Sequence, residues 1–172
     1  MRSILMTQSP KTQALLTPDC SKCVGLCCVA LAFDRSAFFA FDKPAGEVCR
    51  NLDGEHRCRI HSRLEETGFR GCVQFDCLGA GQRTTALFET PHHDGAMFEA
   101  FSRMRQVHEL LQLLDRAAGL PLDAEQRRRC EELRAELSED WTLAQFSVLD
   151  LKAMRQEVMS FLQTLQKLVL AS

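Results

Sequence analysis

The sequence predicts a mainly α-helical protein, in which an irregular, metal-bound, cysteine-rich N-terminal half is packed on a three-helix C-terminal half. Eight of the nine cysteines fall within residues 20–77. Seven of the nine glycines fall within residues 20–90, which indicates irregular backbone there. Residues 96–172 instead carry apolar residues at steps of three and four, which is the period of a helix.

The chain divides into three stretches of different composition. Residues 1–17 show little periodicity and predict a flexible leader. Residues 18–90 form the cysteine-rich, metal-binding region, and residues 96–172 form the helical region. The join at residues 90–95 contains the proline and glycine that are typical of a loop.

Two helices are predicted in the first part of the helical region. The first runs from about residue 96 to 118 and ends before Gly119 and Pro121. Its apolar stripe consists of Met97, Phe101, Met104, His108 and Leu111. The second follows a capping Asp123 and runs to about Leu137. Its apolar face consists of Cys130, Leu133 and Leu137.

A third helix is predicted over residues 143–169, because Thr142 and Gln145 have the spacing of a capping box. Its apolar face includes Leu151, Met154, Val158, Phe161, Leu165 and Leu168. An amphipathic helix needs a partner surface that buries its apolar face. We therefore expect the helical region to bind an unidentified protein partner or a second copy of the chain.

The cysteine-rich region has little regular periodicity. Residues 28–33 fit a short buried strand or the end of a helix, and residues 61–68 fit one short helix closed by a glycine. An irregular segment needs another source of order, and metal coordination supplies one. Structural zinc is worth about 10–16 kcal/mol in small modules.

Composition and charge exclude several functional classes. The net charge is -2 and the pI is about 6.2, which argues against nucleic-acid binding. No apolar run reaches the roughly 18 residues of a membrane span, and the apolar stretch at the N-terminus is too short for a signal peptide. We therefore expect a cytoplasmic protein with reduced thiols, in which a disulfide framework is the weaker interpretation.

The clustered cysteines predict a metal site. The candidate ligands are Cys20, Cys23, Cys27, Cys28, Cys49, Cys58, Cys72 and Cys77. If the first segment were a helix, Cys20, Cys23 and Cys27 would share one face, and Cys28 would lie about 100° further round. Cys27 and Cys28 therefore either serve two adjacent sites, or one of them packs in the core.

The spacing is compatible with two kinds of metal centre. Eight cysteines suffice for two four-thiolate zinc sites, whereas three close cysteines and a distant fourth suffice for a [4Fe–4S] cluster. We favour one or two Zn²⁺ ions, with a [4Fe–4S] cluster as the alternative. His61 is a further candidate ligand. All basic residues between positions 50 and 83 are arginines, which predicts hydrogen-bond donors near the sulfurs.

The pattern Cys20-Ser-Lys-Cys23-Val-Gly-Leu-Cys27-Cys28, followed by Cys58-Arg-Ile-His61 and a later cysteine pair, resembles a known family. This family is the bacterial cysteine-cluster (CxxCxxxCC) proteins, which are described as zinc- or iron-chelating domains. The resemblance implies metal chelation rather than a particular reaction. His61 stands where many relatives have tyrosine, so its role as a ligand does not follow from the resemblance.

The stretches 18–33 and 71–82 are similar to the region that precedes pentapeptide repeats in some actinobacterial proteins. This similarity continues into residues 104–111 and covers most of residues 18–118. The repeats themselves are absent from this chain, so the role of DNA mimic is not implied. A more distant resemblance to the flagellin lysine methylases implies an iron–sulfur cluster.

The leading functional hypothesis is a metal-binding protein in which clustered cysteines coordinate zinc in a mainly structural role. An iron–sulfur protein of redox or radical enzyme chemistry is the second hypothesis, and a metal chaperone or sensor is the third. No Walker, nucleophile-elbow or His-Glu-x-x-His motif is present. The sequence therefore identifies no catalytic constellation.

Overall fold

The structure is a computed structural model that describes residues 10–166. Its α-helices are α1 (Pro10–Leu16), α2 (Leu26–Ala30), α3 (Arg70–Gln74), α4 (Ala80–Ala86), α5 (Gly95–Ala117), α6 (Ala124–Leu137), α7 (Leu143–Ser147) and α8 (Leu151–Thr164). Short 3₁₀ turns cover Cys20–Lys22 and His61–Arg63. Within the described residues, β-structure is limited to isolated antiparallel bridges, Phe33 with Lys43 and Leu52 with Cys58. The prediction of a mainly α protein is confirmed.

The chain forms two compact units. Residues 18–105 form one, which we call the cysteine unit. Among the described residues, 10–17 together with 106–166 form the other, which we call the helical unit. Helix α5 contributes its residues 95–105 to the cysteine unit and the remainder to the helical unit.

The apolar stripes predicted for the first two long helices are buried. Met97, Phe101, Met104, His108 and Leu111 of α5 and Cys130, Leu133 and Leu137 of α6 are all buried. Asp123 begins α6 with a capping box, in which its carboxylate accepts from the Gln126 amide at 2.9 Å. Both predicted helices are present, and their ends lie within two residues of the expected positions.

The prediction of one continuous third helix is wrong, because the structure has two helices, α7 and α8, in its place. The capping box of Thr142 and Gln145 is present, but α7 ends at Ser147. Asp150 then caps a new helix, α8, by accepting from the Ala153 amide at 2.9 Å. A side chain that satisfies the first free amides of a helix favours a helix start at that point.

The predicted face of this third helix is only partly buried. Val158, Phe161 and Leu165 are buried, whereas Leu151 and Met154 are half-buried. Residues 167–169 of the predicted helix, with Leu168, lie outside the described residues.

Residues 10–16, which the sequence assigns to a flexible leader, form α1. Pro10 occupies the first helical position, where its missing N–H costs nothing. Thr12 is buried in the helical unit. Residues 1–9 of the predicted leader lie outside the described residues.

The structure decides between the alternatives for residues 28–33 and corrects the helix predicted at residues 61–68. Cys28 belongs to α2, so the helix-end alternative for residues 28–33 is the correct one, with an isolated bridge at Phe33. The short helix predicted at residues 61–68 is reduced to a 3₁₀ turn, although Gly68 closes the segment with a φ of 84° as expected. In the part of the chain that the structure describes, no helix combines the length and apolarity of a membrane span.

A buried ion pair stabilises the helical unit. The Arg134 guanidinium donates to Asp115 at 2.8 Å, and both side chains are almost fully buried.

We expect Asp115→Ala to lower the free energy of unfolding by about 3 kcal/mol, because it leaves the arginine charge buried and unpaired. Urea denaturation measures this change. The exposed pair of Lys11 and Asp140, at 3.3 Å, provides the control. Asp140→Ala should cost less than about 0.5 kcal/mol, and equal losses in the two variants would contradict the prediction.

Candidate metal centre

The segment that carries the first four cysteines is a turn followed by a helix. Cys20 begins a 3₁₀ turn that ends at Cys23, and α2 starts three residues later. Gly25 connects the two with a φ of +73°, which L side chains rarely adopt. Because this segment is not one continuous helix, the shared helical face of Cys20, Cys23 and Cys27 does not form. The turn determines where the Cys23 sulfur lies.

Backbone amides surround several of the sulfurs. The amides of Gly25 and Leu26 hydrogen-bond to the Cys23 sulfur, and the amide of Ile60 hydrogen-bonds to the Cys58 sulfur. Burial raises the pKa of both thiols, and these hydrogen bonds oppose the rise. Amide donors that face a sulfur favour its thiolate form, which is the form that binds metal.

Helix α4 brings Cys77 next to Cys23. A backbone turn follows Cys77, in which the Ala80 amide donates to the Cys77 carbonyl at 2.9 Å, and α4 begins at its end. A Cβ on Gly81 would lie 2.8 Å from the Cys23 sulfur and 3.9 Å from the Cys77 sulfur. Only glycine fits at this position without displacing a sulfur. The Gln82 side chain accepts from the Asp19 amide at 2.9 Å and anchors α4 to the 3₁₀ turn.

Cys27 and Cys28 are consecutive residues of α2, and their sulfurs lie 4.0 Å apart. The hydrogen bond between the two sulfurs lowers the pKa of Cys27 to about 7. The same hydrogen bond, together with burial, raises the pKa of Cys28. The two thiols are therefore coupled, and the pKa of Cys27 is the lower one.

Cys49 and Cys58 are placed by backbone hydrogen bonds. The Cys49 amide donates to the Cys28 carbonyl at 2.9 Å. The Leu52 amide donates to the Cys49 carbonyl at 2.9 Å, and Leu52 forms an antiparallel bridge with Cys58. Cys28, Cys49 and Cys58 thus follow one another along a continuous backbone network.

Cys72 is positioned by an aromatic cluster. Phe33 and Phe39 stack with centroids 4.4 Å apart, and Phe69 packs edge-on against both rings. Gly71 lies against the Phe39 ring, where a Cβ would approach the ring to 2.1 Å. Burial, reinforced by the charges of nearby cysteines, raises the pKa of the Cys72 thiol to about 11.

Lys43 is a buried cation of the cysteine unit. Its side chain is 4% exposed, and its ammonium donates to the carbonyls of Val29, Pro44 and Glu47 at 3.0, 3.0 and 2.8 Å. Burial lowers the pKa of Lys43, while the charges of Cys49 and Cys28 oppose that change. A buried ammonium needs nearby negative charge or hydrogen-bond acceptors, and Lys43 has both.

Two arginines of the unit contact carbonyl oxygens or an aromatic ring. The Arg57 guanidinium donates to the carbonyls of Cys20 and Ser21, not to a sulfur. The Arg50 guanidinium lies over the Phe41 ring at 3.8 Å. His61 is exposed, and its backbone amide donates to the Cys58 carbonyl.

The eight candidate ligands share one unit but do not form a finished site. All eight are free thiols. Between residues 10 and 166, no group of three or more histidine, cysteine, aspartate or glutamate side chains is arranged so that it could hold a metal ion as it stands. The donor set nevertheless suits zinc or iron–sulfur chemistry, because thiolates are preferred ligands of both. Gly81 leaves space beside the sulfurs of Cys23 and Cys77, and backbone amides face Cys23. Both features fit a metal site.

A curated protein resembles most of this chain. This chain is similar to the uncharacterized protein YybG of Bacillus subtilis (strain 168), with 41% identity over 129 residues. The match covers 69% of this chain and 46% of YybG. The chain thus spans about half the length of this curated relative. No protein-family model matches the chain, and no solved structure matches it.

The residues missed at the sequence level are those that support the cysteines. Lys43 carries no motif that separates it from an exposed lysine, and its burial depends on contacts with Val29 and Glu47. Gly81 belongs to the short glycine-rich stretch Gly79-Ala80-Gly81-Gln82. Its closeness to two sulfurs arises only after α4 folds back on the 3₁₀ turn.

Replacement of Lys43 tests its structural role. We expect Lys43→Met to lower the stability of the cysteine unit by about 2 kcal/mol, because three carbonyls lose a charged, buried donor. Amide hydrogen exchange at Gly46, which donates to the Val29 carbonyl at 3.0 Å, should accelerate. The exposed Lys22 provides the control, because its pairing with Asp19 is at the surface. Lys22→Met should change the free energy of unfolding by less than about 0.5 kcal/mol. Unchanged hydrogen-exchange protection of the Gly46 amide in Lys43→Met would refute the structural role of Lys43.

Proposed function

We propose that this protein binds metal through the clustered cysteines of the cysteine unit, and that the metal is mainly structural zinc. The eight proposed ligands are Cys20, Cys23, Cys27, Cys28, Cys49, Cys58, Cys72 and Cys77. The observation that carries the proposal is that all eight lie in one unit, with two sulfurs within 4 Å of the same glycine position. The proposal includes the metal-bound state of the predicted cysteine-rich half and its relationship to the bacterial cysteine-cluster family.

The chemistry of the unit supports a structural role for the metal. Its backbone is largely turns and short helices, so few ladder hydrogen bonds hold it together. Zinc supplies tetrahedral thiolate bonds that cross-link such segments. Cys20, Cys49 and Cys72 lie on three separate segments, and a shared metal would tie these segments together. A finished site of this kind is closed by thiolates and leaves no open position for a substrate.

The positive charges of the unit support thiolate ligands. Zinc with four thiolates carries a net charge of −2, which a nearby cation offsets. Lys43 supplies such a charge beside Cys28 and Cys49. Burial raises the pKa of Cys20, and the charge of Arg57 opposes this rise. Thiols of this kind require a reducing compartment, which fits a cytoplasmic location. Partner binding or dimerisation through the helical region remains part of the proposal.

Elemental analysis of protein purified without oxygen and without chelators tests the proposal. We expect about two zinc atoms and no iron per chain, since eight thiolates complete two four-ligand sites. Removal of the metal should unfold the cysteine unit, because metal-binding free energy is folding free energy in such modules. About four iron atoms per chain, in brown protein, would instead support the iron–sulfur alternative. A well-folded protein without metal would refute the proposal.

The pH dependence of binding gives a second test. Burial raises the pKa of Cys20, Cys23, Cys58 and Cys72, so these thiols hold protons near neutral pH and release them when metal binds. The apparent zinc affinity should therefore fall as the pH falls from 8 to 6, by up to about tenfold per pH unit for each proton released. Competition with a chromophoric chelator measures it. An affinity that does not change over this range would contradict thiolate ligation.

A further inference from the structure

We infer that Cys27 and Cys28 together form a two-thiolate site for monovalent copper, Cu(I). The inference goes beyond the proposed zinc function, because it assigns a different ion to this one pair of thiols. It rests on the distance between the two sulfurs, on the way in which α2 presents them, and on the charge of a neighbouring ammonium.

The distance between the two sulfurs suits one bridging ion. The sulfurs of Cys27 and Cys28 lie 4.0 Å apart. A zinc–sulfur bond of about 2.3 Å gives the length scale for metal–thiolate bonds, so one ion can reach two sulfurs that lie up to about 4.6 Å apart. An ion between these two sulfurs therefore contacts both, and α2 does not have to move.

Helix α2 directs both sulfurs away from the core. Leu26 and Val29 are fully buried and share one face of this helix. Since successive residues of a helix are rotated by about 100°, Cys27 and Cys28 lie about 50° on either side of the direction opposite to that face. Both cysteines are half-buried. An ion between them is thus reachable from outside and partly shielded from water.

The number of ligands in place favours copper over zinc at this pair. Structural zinc takes four ligands. Among the side chains of residues 10–166, no group of three or more histidine, cysteine, aspartate or glutamate residues is arranged to hold a metal ion. Cu(I) is a soft ion that suits thiolates, and two of them complete its coordination. The pair therefore matches Cu(I) as it stands, whereas zinc requires further ligands to move in.

The charge of the bound state has a partner nearby. When Cu(I) binds, each thiol releases its proton and forms one copper–sulfur bond, and copper keeps its oxidation state. The two thiolates and the ion then carry a single net negative charge. The buried ammonium of Lys43 donates at 3.0 Å to the carbonyl of Val29, the residue that follows Cys28. A buried charge needs an opposite charge close by, and one lysine supplies it.

Titration of the purified full chain with Cu(I) tests the inference, without oxygen and against bicinchoninate as the chromophoric competitor. X-ray absorption of the chain with one equivalent of copper should find two sulfur neighbours. Cys27→Ser and Cys28→Ser should each weaken this first equivalent by at least about 100-fold, because a lost ligand costs more than a lost supporting group. Three or more sulfur neighbours, or an unchanged first equivalent in either variant, would overturn the site.

Cys130→Ser is the matched control, because it removes a thiol of α6 in the helical unit. It should leave the first copper equivalent unchanged. A loss equal to that of Cys27→Ser would overturn the site.

A methionine variant keeps the test decisive where a serine variant fails to fold. Thioethers are soft ligands that suit Cu(I), whereas zinc binds cysteine, histidine and carboxylates. Cys28→Met should therefore bind the first copper equivalent at least about tenfold more tightly than Cys28→Ser, or than Cys27→Ser if only that serine variant folds. Copper binding in Cys28→Met that is as weak as in the serine variant would overturn the site.

The zinc content before titration separates this inference from the proposed function. Zinc in the purified chain, together with a first copper equivalent that does not depend on Cys27 or Cys28, overturns the copper site and leaves zinc binding intact. A folded chain without zinc or iron, whose first copper equivalent depends on both cysteines, overturns the proposed function and leaves the copper site intact.

Discussion

The buried ammonium of Lys43 is the interaction on which the cysteine unit depends. It donates to carbonyls at Val29, Pro44 and Glu47, and so links the end of α2 to the segment that leads into Cys49. The loop between them contains Phe33, Phe39 and Phe41, whose rings form the aromatic cluster with Phe69. One charged side chain thereby holds the segments that carry three of the cysteines and orders the loop whose rings position a fourth.

This arrangement explains how a unit with little regular secondary structure brings distant thiols together. The cysteines lie on short turns, and each turn is fixed by a nearby group of another kind. Gly81 sets the distance of α4 from Cys23, and Phe39 sets the position of α3. The aromatic and glycine contacts supply shape, while the amides that face the sulfurs supply the polar environment that a thiolate requires.

Sequence patterns were sufficient for the long helices α5 and α6, whereas the ligand role of the eight cysteines stays a prediction. The apolar residues that recur at helical spacing in α5 and α6 are buried, because those helix faces pack in the core. The same pattern missed the break between α7 and α8, because the capping effect of Asp150 is local and does not disturb the apolar period. Lys43 and Gly81 escaped prediction, since their roles depend on residues more than ten positions away, which no local pattern encodes.

The position of Cys27 and Cys28 on one short helix has a mechanical consequence. If metal binds to the cysteines as proposed, an ion held by either sulfur would also fix the helix that carries the other. The first thiol to bind would bear the entropic cost of fixing α2, and the second would bind from a helix that is already fixed. The short helix would thus couple the two thiols through its own conformational entropy.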